Sequence, residues 1–531
     1  MTNLETYLSG VAMLAPQILV IAAILFTSVW DLFFPKHKQM TPIVSILCLA
    51  LSFFALTRQW NLNAQIFGGL YSVDTLTVIF GMIAVASGLI VVLMTMGYEH
   101  HFGKNRSEFY TILLTAIVAV MFLAGSTDLI MLFVSLETLS ICCVLLTSFA
   151  KKDKKSGEAS LKYLLSTAAT TATLLYALSF IYGFTGSTSF DVIAQKLQLM
   201  SIGSGSLIKY LIIAFTLSAI GFKLSIVPFH MWTPDVFEGA PTPVTAFLSI
   251  GSKAGGFVVA LRFLYEVMGS VYRDWMIIVA ILALVSMIAG NLIALAQSSF
   301  KRMLAYSSIA HVGYMLLGLL AFNAEGVQSM LFYIIVYGIM NLGAFAGAIL
   351  FFNETGSDRI EDMAGLIRKR PWLAVMTSLC LLNLAGLPVP PAGFLAKLFI
   401  FKAGLGISES ATLADSANYV AQTTLLGGFP IGWVLVTCAL VTSIPAIYYY
   451  SKVVIYMIVP EPSEKVAALA DHRKFVGSPQ EGPWLALWLC TIAISLAGTF
   501  LVNPLMNASQ KAATTMGAEQ KREIGYQGNF N

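Results

Sequence analysis

The sequence predicts an all-α polytopic membrane protein, and three observations lead to that class. Hydrophobic residues make up 57% of the 531 residues and charged residues only 11%, whereas soluble proteins carry about 25% charged residues. Apolar runs of about 20 residues, the length that crosses a bilayer as a helix, recur from end to end. No polar stretch is long enough to form a separate soluble domain.

Apolar length predicts about fourteen transmembrane helices. The expected ranges are 11–34, 42–57, 74–96, 109–125, 128–149, 159–184, 207–236, 242–268, 275–297, 303–322, 327–352, 371–404, 432–458 and 484–506. A polar tail is expected after the last of them. The N-terminus has no basic region before its first apolar run, so we expect that run to stay as a membrane helix instead of being cleaved as a signal peptide.

Positive charge is distributed unequally between alternate connections, which predicts the orientation of the helices. One set of connections carries many basic residues, and the other carries little beyond Arg58, Lys196, Lys209 and Arg273. Because basic loops stay in the cytoplasm, we expect both termini on the outer side. The basic set comprises Lys36, Lys38, Lys104, Arg106, Lys151, Lys152, Lys154, Lys155, Lys301, Arg302, Arg359, Arg368, Lys369, Arg370, Lys465, Arg473 and Lys474.

The seventh and twelfth helices are expected to be discontinuous. Pro228 interrupts the seventh just after Lys223, and Pro388 begins a proline-rich stretch just before Lys397. Proline removes a backbone donor and clashes with the preceding turn, and the freed carbonyls are tolerated at membrane depth only inside protein or beside water. Two breaks five helices apart suggest two inverted five-helix repeats, helices 4–8 and 9–13, with ion sites at the breaks.

These repeats divide the chain into four expected parts. Residues 1–108 form an N-terminal three-helix segment, 109–268 the first antiporter-like repeat and 275–458 the second. Residues 459–531 hold a loop, the final transmembrane helix and the polar tail.

Four lysines and one glutamate lie in the middle of segments that are otherwise apolar enough to cross a bilayer: Glu137, Lys162, Lys223, Lys253 and Lys397. Each costs roughly 2.5–3.5 kcal/mol to place at bilayer depth, which marks such residues as functional candidates. A desolvated lysine, unlike arginine, can release its proton. The five residues therefore suggest a path for protons, in which Glu137 and Lys162 would be electrostatically coupled if their side chains meet.

Two histidines complete the candidate set. His230 follows the seventh-helix break and His311 lies in the tenth predicted helix; histidine titrates near neutral pH and can connect proton donors. Other charged residues near helix ends are expected to be interfacial or structural, and the tyrosines of the segment IYYYSK are expected to form an interfacial aromatic belt. The charged residues in question are Asp74, Asp128, Asp235, Glu238, Arg262 and Glu266.

No cofactor or metal site is expected in this chain. Its six cysteines lie within or at the edges of apolar runs without CxxC spacing, whereas iron–sulfur and zinc sites need clustered thiolates. The sequence also has no GxxxxGK[ST] loop for nucleotide phosphates. The energy for ion movement must therefore come from a gradient or from a partner subunit.

Several segments resemble a known family. The most specific is GFKLSIVPFHMWTPDVFEGAPTPVTAFLSIGSKAG, supported by DLIMLFVSLETLSICCVLL, GEASLKYLL, KRMLAYSSIAHVGYMLLGLL and LNLAGLPVPPAGFLAKLFIF. Over roughly residues 70 to 500 the chain resembles the antiporter-like membrane subunits of proton-pumping NAD(P)H:quinone oxidoreductase, the respiratory complex I family. Subunit N, called subunit 2 or B in cyanobacteria and plastids, is the most similar of them.

The resemblance implies one proton-translocating unit of a long membrane arm. It implies that Glu137 and Lys162 form the carboxylate–lysine pair of helices five and six, and that Lys223, Lys253 and Lys397 transfer protons with His230 and His311 as connecting groups. The implied partners are antiporter-like subunit M and small membrane subunits, with flavin and iron–sulfur clusters elsewhere and quinone as acceptor. The implied location is a bacterial cytoplasmic membrane or a thylakoid membrane.

Two other functions stay open at this point. A secondary sodium/proton antiporter would act without redox chemistry, but sodium needs a site of hard oxygen ligands, and the deep groups here are mostly lysines. A structural membrane scaffold would keep the same charges without a proton path of its own.

Overall fold

The computed structural model describes residues 9–34, 40–99, 102, 106–200, 206–407, 424–425, 429–469 and 480–523. Long helices make up most of this part of the chain. In the first half they are α1 (Ala15–Phe33), α2 (Met40–Arg58), α3 (Thr75–Met96), α4 (Arg106–Ala124), α5 (Leu129–Thr147), α6 (Lys154–Thr185), α7 (Phe190–Met200), α8 (Ser206–Leu224), α9 (Trp232–Gly239) and α10 (Thr242–Val267).

The second half continues with ten more helices, two of them a single turn long. They are α11 (Tyr272–Leu295), α12 (Phe300–Leu320), α13 (Ala324–Thr355), α14 (Leu366–Lys369), α15 (Pro371–Ala385), α16 (Ala392–Leu405), α17 (Ile431–Ile458), α18 (Glu464–Ala467), α19 (Glu481–Gly498) and α20 (Val502–Glu523).

Twelve helices in the described residues are long and apolar enough to cross a membrane, and two shorter apolar helices, Ala15–Trp30 and Pro371–Ala385, accompany them. The all-α membrane class is therefore confirmed. The count of fourteen spans and the inverted repeats remain predictions. Of the basic loop residues, Lys36, Lys38, Lys104, Arg473 and Lys474 lie outside the described residues.

Both predicted helix breaks are present. The seventh span divides into α8 and α9, and the twelfth into α15 and α16. The peptide bonds Val227–Pro228 and Val389–Pro390 within the breaks are cis. The discontinuities are therefore where the prolines predicted them, because proline cannot continue the hydrogen-bond ladder of a helix.

Several features of the structure were not predicted. Strands β1 (Ala64–Ile66) and β2 (Tyr71–Val73) form an antiparallel hairpin between α2 and α3. The predicted polar tail is instead helical in its described part, as α20, and the last span ends earlier than expected, at Gly498. Helix α20 packs across α13 and α3, so the described part of the expected polar tail is a helix held against the bundle. A second pair of two-residue strands, β3 (Thr424–Leu425) and β4 (Phe429–Pro430), precedes α17.

Close helix contacts in the second half depend on small residues. A Cβ on Gly290 of α11 would lie 2.6 Å from the Ala310 backbone nitrogen of α12, and a Cβ on Gly313 would lie 3.0 Å from the Ala283 carbonyl oxygen. Small residues let backbones approach in this way within membranes. The close packing of α11 on α12 fixes the surroundings of His311, which α12 carries.

Candidate functional site

The first helix break is held together by hydrogen bonds across it. Helix α8 ends at Leu224, and the next residue, Ser225, has a left-handed backbone with a φ of +66°. The hydroxyl of Ser225 accepts a hydrogen bond from Thr233 Oγ1 at 2.7 Å. The Trp232 Nε1 atom donates to the Phe222 carbonyl oxygen at 3.0 Å. These bonds fix the geometry of the break without a continuous helix.

Lys223 lies in the last turn before this break and is buried. Its Nζ atom donates to Ser140 Oγ on α5 at 3.1 Å. Ser140 follows Glu137 by three residues, one turn along α5. The half-buried Glu137 accepts a hydrogen bond from Thr171 Oγ1 at 2.7 Å. Lys223 therefore contacts α5 one turn away from Glu137. The lysine and this carboxylate make no direct ion pair in the described structure.

The structure pairs Lys162 with residues other than Glu137, which corrects the expected carboxylate–lysine pair. The Lys162 Nζ atom lies 2.8 Å from Asp235 Oδ2 and 2.8 Å from Glu158 Oε1, and its side chain is 47% exposed. The reason is the distance along α6 between Lys162 and the point where this helix meets Glu137. Glu137 meets this helix at Thr171, nine residues beyond Lys162, a rise of about 13.5 Å that a lysine side chain does not span.

Asp235 instead belongs to an ionic cluster at one end of the bundle. Arg302 Nη1 lies 3.0 Å from both Asp235 Oδ1 and Glu238 Oε2, and Lys155 Nζ lies 3.9 Å from Glu238 Oε1. The cluster joins α6, α9 and α12, and it agrees with the structural role expected for Asp235 and Glu238.

Lys253 sits at an irregular point of α10. A π-helical segment, Leu248–Ser252, ends immediately before it. The buried Lys253 Nζ atom donates to Ser308 Oγ at 2.7 Å. A Cβ on Gly256, one turn later, would lie 3.3 Å from Lys223 Cγ. The stem of Lys223 therefore packs against α10 close to Lys253.

His311 lies one turn beyond Ser308 on α12 and is 1% exposed. Its Nδ1 atom is 2.8 Å from the Tyr333 hydroxyl, and its Nε2 atom is 3.4 Å from the Tyr450 hydroxyl. The Tyr450 hydroxyl also hydrogen-bonds to Ser307 Oγ. The imidazole of α12 therefore lies between hydroxyl groups of two other helices, α13 and α17.

Two of the three consecutive tyrosines of α17 are part of these surroundings, so the prediction of an aromatic belt was wrong for them. Tyr449 and Tyr450 are buried, and only Tyr448 is largely exposed. The Tyr449 hydroxyl donates to Asn291 Oδ1 at 3.3 Å. Successive residues on a helix are about 100° apart, so a run of three spans about 200°, and one of the three tyrosines can face outward while the other two face the core.

Lys397 follows the second helix break, and the break itself supplies its acceptor. The Lys397 Nζ atom donates to the Ala385 carbonyl oxygen, at the end of α15, at 2.7 Å. It also lies 5.6 Å from the ring centroid of Tyr314, a cation–π contact. The Tyr314 hydroxyl accepts a hydrogen bond from Asn291 Nδ2 at 2.8 Å.

These contacts connect Lys253 to Lys397 through buried side chains. The only step that is not a side-chain contact is the single turn of α12 from Ser308 to His311. Tyr449 and Tyr450 pack with ring centroids 4.5 Å apart, which joins the His311 end to the Asn291 end. We call this set the polar row: Lys253, Ser308, His311, Tyr450, Tyr449, Asn291, Tyr314 and Lys397.

His230 does not lie in the polar row. It is half-buried in the first break, and its Nδ1 atom is buried with no hydrogen-bond partner among the described residues. The expectation that it directly connects neighbouring lysines is therefore not met in this structure. His230 lies in the connection between α8 and α9, outside both helices.

The hydroxyl and amide members of the polar row were missed by sequence reasoning. Ser308, Tyr314 and Asn291 carry no charge, and each residue type is common in helices. One usable signal was the repeated spacing of polar residues along α12, where Ser307, Ser308 and His311 interrupt an apolar stretch.

A second buried ionic group lies apart from this row. Arg262 is 1% exposed, and its Nη2 atom lies 2.6 Å from Asp74 Oδ2, while its Nη1 atom lies 2.7 Å from Glu266 Oε1. Asp74 also accepts from the Thr77 backbone nitrogen at 2.8 Å as the N-cap of α3. The group ties α10 to the start of α3, which fits a structural role.

Metal ligands do not cluster in the part of the chain that the structure describes, where no group of three or more histidine, cysteine, aspartate or glutamate residues could hold a metal ion. The chemistry available in the polar row is instead proton donation and acceptance by lysine, histidine and hydroxyl groups.

The fold and the row together define a class: a polytopic membrane protein with broken helices and a buried chain of ionisable groups. Residues 126–417 match the family described as "NADH:quinone oxidoreductase/Mrp antiporter, TM". The chain is 42% identical to NAD(P)H-quinone oxidoreductase subunit 2 of Crocosphaera subtropica over 97% of its own length and 94% of that protein. The chain belongs to this family.

Other relatives agree with that assignment. NAD(P)H-quinone oxidoreductase subunit 2 of Synechocystis sp. is 42% identical over 93% of this chain and 91% of its own. A chain of respiratory complex I from Thermus thermophilus superposes with a TM-score of 0.69 at 28% identity, covering 92% of this chain and 98% of its own. The Mrp complex from Dietzia sp. has a TM-score of 0.77 at 17% identity, covering 96% and 99%, and shares the fold.

Proposed function

We propose that this protein is a proton-translocating membrane-arm subunit of a quinone-reducing, complex I-type enzyme. It would couple electron transfer in partner subunits to outward proton pumping. The observation that carries the proposal is the polar row, in which buried Lys253 and Lys397 are connected by Ser308, His311, three tyrosines and Asn291. Buried ionisable groups in membrane segments mark proton relays, and the two cyanobacterial relatives named above are NAD(P)H-quinone oxidoreductase subunits.

The proposed roles follow the chain of contacts. Glu137 and Lys162 respond to charge changes passed from a neighbouring subunit, and Glu137 acts on Lys223 from the adjacent turn of α5. Protons pass from Lys223 to Lys253, then along the polar row to Lys397. Lysine suits these positions because it can lose its proton when it is desolvated, whereas arginine stays charged. His311 connects the middle of the row, and His230 acts at the first break.

The proposal extends to the assembly. The partners are antiporter-like subunit M, small membrane subunits and subunits that carry flavin and iron–sulfur clusters, with quinone as the electron acceptor. The location is a bacterial cytoplasmic or thylakoid membrane with both termini on the outer side. The inverted repeats, residues 109–268 and 275–458, with the flanking parts 1–108 and 459–531, are the proposed organisation.

The decisive experiment measures protons moved per electron. Lys253→Ala, assembled in the complete complex in sealed vesicles, should keep quinone reduction measurable while lowering proton uptake per electron. Lys209→Ala is the matched control, because Lys209 lies on α8 and pairs at its end with Asp274 at 2.8 Å. Unchanged pumping in the Lys253 variant would contradict the proposal.

The same vesicles separate the alternatives. A sodium/proton antiporter would move protons when a sodium gradient is imposed, with no quinone or electron donor present. A scaffold would leave pumping per electron unchanged in every lysine variant that still assembles.

The proposed orientation has its own test. A cysteine label in the basic loop at residues 151–155 should report the cytoplasmic side of the membrane, and a reporter fused to the C-terminus should report the outer side. Labelling on the same side would contradict both the orientation and the even number of spans.

A further inference from the structure

We propose that the cleft between α2, α3, α13 and α19 is a binding site for an anionic diacyl lipid, with one acyl chain in the cleft and the headgroup on Arg58 and Lys511. The inference is independent of the proposed proton path, because it rests on a different cavity and different side chains.

The cleft is apolar and of ligand size. Its volume is about 450 Å³, within the range of about 300–1,000 Å³ that ligand pockets occupy. Ile83 of α3, Ile335 of α13 and Leu489 of α19 line its walls. Phe53 at its edge is 38% exposed and Leu489 is 40% exposed, so the cleft opens on the side surface of the bundle, where bilayer chains are the surrounding solvent.

The cleft exists because α19 leaves α3 toward one end of the bundle. Near the start of α19 the two helices touch, since a Cβ on Gly482 would lie 2.2 Å from the Leu93 carbonyl oxygen. Toward the other end they separate, and α20 lies across the opening and contributes Leu505 and Ala508 to the lining. A single chain entering from the side would therefore run along the cleft beneath α20.

The end of the cleft below α20 carries two exposed cations. Arg58 ends α2, two residues before the lining residue Trp60, and its guanidinium lies 5.1 Å from the Phe54 ring centroid. Lys511 lies three residues after the lining residue Ala508, on the same face of α20. Its Nζ atom is 3.5 Å from Asn61 Oδ1, a long contact that leaves the ammonium free to turn.

This charge selects among membrane lipids. A phosphate headgroup carries negative charge that both cations attract, and each basic residue near such a surface strengthens binding roughly fivefold. A neutral quinone head or a zwitterionic lipid would gain less from the pair. Trp60 is the lining residue two positions from Arg58, and tryptophan is enriched where apolar membrane meets charged headgroups.

The floor of the cleft also touches the helix of the proton-path candidates. Ile250 is part of the lining and belongs to the π-helical segment that ends just before Lys253. A Cβ on Gly338 of α13 would lie 2.8 Å from Ile250 Cγ1. An acyl chain in the cleft would therefore pack beside this irregular turn.

The test uses the full-length protein in its membrane complex, with phosphatidylglycerol bearing a photoactivatable acyl chain as the probe. After illumination, labelled peptides should come from the cleft walls on α3, α13 and α19. Phosphatidylcholine with the same chain is the comparison lipid. We expect stronger labelling by phosphatidylglycerol, and equal labelling by both lipids would overturn the claim of charge selection.

Variants test each half of the site. Arg58→Ala and Lys511→Ala should each lower phosphatidylglycerol labelling roughly fivefold, whereas Arg273→Ala, an exposed cation outside the lining, should not. Ala493→Phe fills the cleft and should abolish labelling, with Ala22→Phe on the exposed face of α1 as its control.

If Ala493→Phe prevents assembly, Ala86→Leu on the opposite wall makes the same test with a smaller side chain. Labelling that survives a filled cleft would overturn the site. With a photoreactive amino acid at position 493 in place of the lipid probe, a cross-link to another polypeptide would also overturn the site, because a partner helix would then be the occupant.

Discussion

Lys223 and Lys397 stand beside the two helix breaks but receive their hydrogen-bond acceptors from different sources. Lys223 precedes its break and donates to a side-chain hydroxyl, Ser140 Oγ. Lys397 follows its break and donates to a backbone carbonyl, Ala385 O, at the end of the interrupted helix. Substitution of Ser140 would remove the acceptor of Lys223. The acceptor of Lys397 is a backbone carbonyl at a helix end, so it is present because the helix is interrupted there.

The surroundings of the two lysines differ as well. Near Lys223, the carboxylate of Glu137 lies one turn away on α5, and ion pairs with exposed side chains occupy the nearby end of α6. Near Lys397, the polar groups are the hydroxyls of Tyr314 and Tyr449 and the side-chain amide of Asn291, and all three residues are buried. Under the proposed function, charge changes would enter at the first break, and protons would cross the second half along the polar row.

The largest effect is expected at Lys223. Lys223→Arg should reduce proton translocation about as much as Lys223→Ala, more than tenfold, because arginine keeps its charge and cannot load and release a proton. Proton uptake in vesicles is measured alongside the quinone reductase rate, with Lys209→Arg on the same helix as control. Full activity of Lys223→Arg would mean that position 223 supplies only a fixed positive charge.

Glu137→Gln should come next. Glutamine keeps the shape and the hydrogen bond from Thr171 but removes the negative charge that acts on the first break. We expect a severalfold loss of protons per electron with the complex assembled. Thr171→Val, which removes only the hydrogen-bond donor, should cost less. Equal losses in both variants would show that the hydrogen bond, and not the charge, is what matters at Glu137.

Gly386→Ala should affect the second break without removing an ionisable group. Gly386 has a φ of +89°, and a Cβ there would lie 2.8 Å from Lys397 Cδ. Alanine pays about 1–2 kcal/mol in left-handed backbone and displaces the lysine stem, so proton uptake should fall several-fold. Gly406→Ala, at a helix end with a φ of −74°, is the control. Normal pumping in Gly386→Ala would show that the position of Lys397 is not critical.

The smallest effect is expected at a pair outside the membrane segments. Hydrogen bonds from Lys465 and Ser357 hold the pKa of the Asp362 carboxyl below its ordinary value. Because the folded-state pKa is depressed, this stabilisation is present above the ordinary aspartate pKa and is lost as pH falls through the depressed value. The pair is partly exposed, so Lys465→Ala should cost less than about 1 kcal/mol.

Thermal unfolding of the purified complex measures that cost. The loss should be visible at pH 7 and should shrink in acid, where Asp362 is protonated in both proteins. Lys452→Ala on α17 gives the baseline for removing a nearby lysine. A difference that grows as the pH falls would contradict the assigned pair.

The sequence by itself determined the membrane class, the two helix breaks and the burial of Lys223, Lys253 and Lys397. Apolar length and proline act locally, so these features can be read from short segments. The family follows from the motif around Lys223 and Lys253, which is also local.

Only the tertiary structure decided which groups meet. Lys162 pairs with Asp235 because the residue of α6 that lies beside Glu137 is Thr171 and not Lys162. Tyr449 and Tyr450 enter the core because α17 packs with that face inward, and Ser308, Asn291 and Tyr314 join them from other helices. Such contacts depend on how helices far apart in sequence rotate and pack against one another, and hydrophobic periodicity within one segment does not specify that rotation.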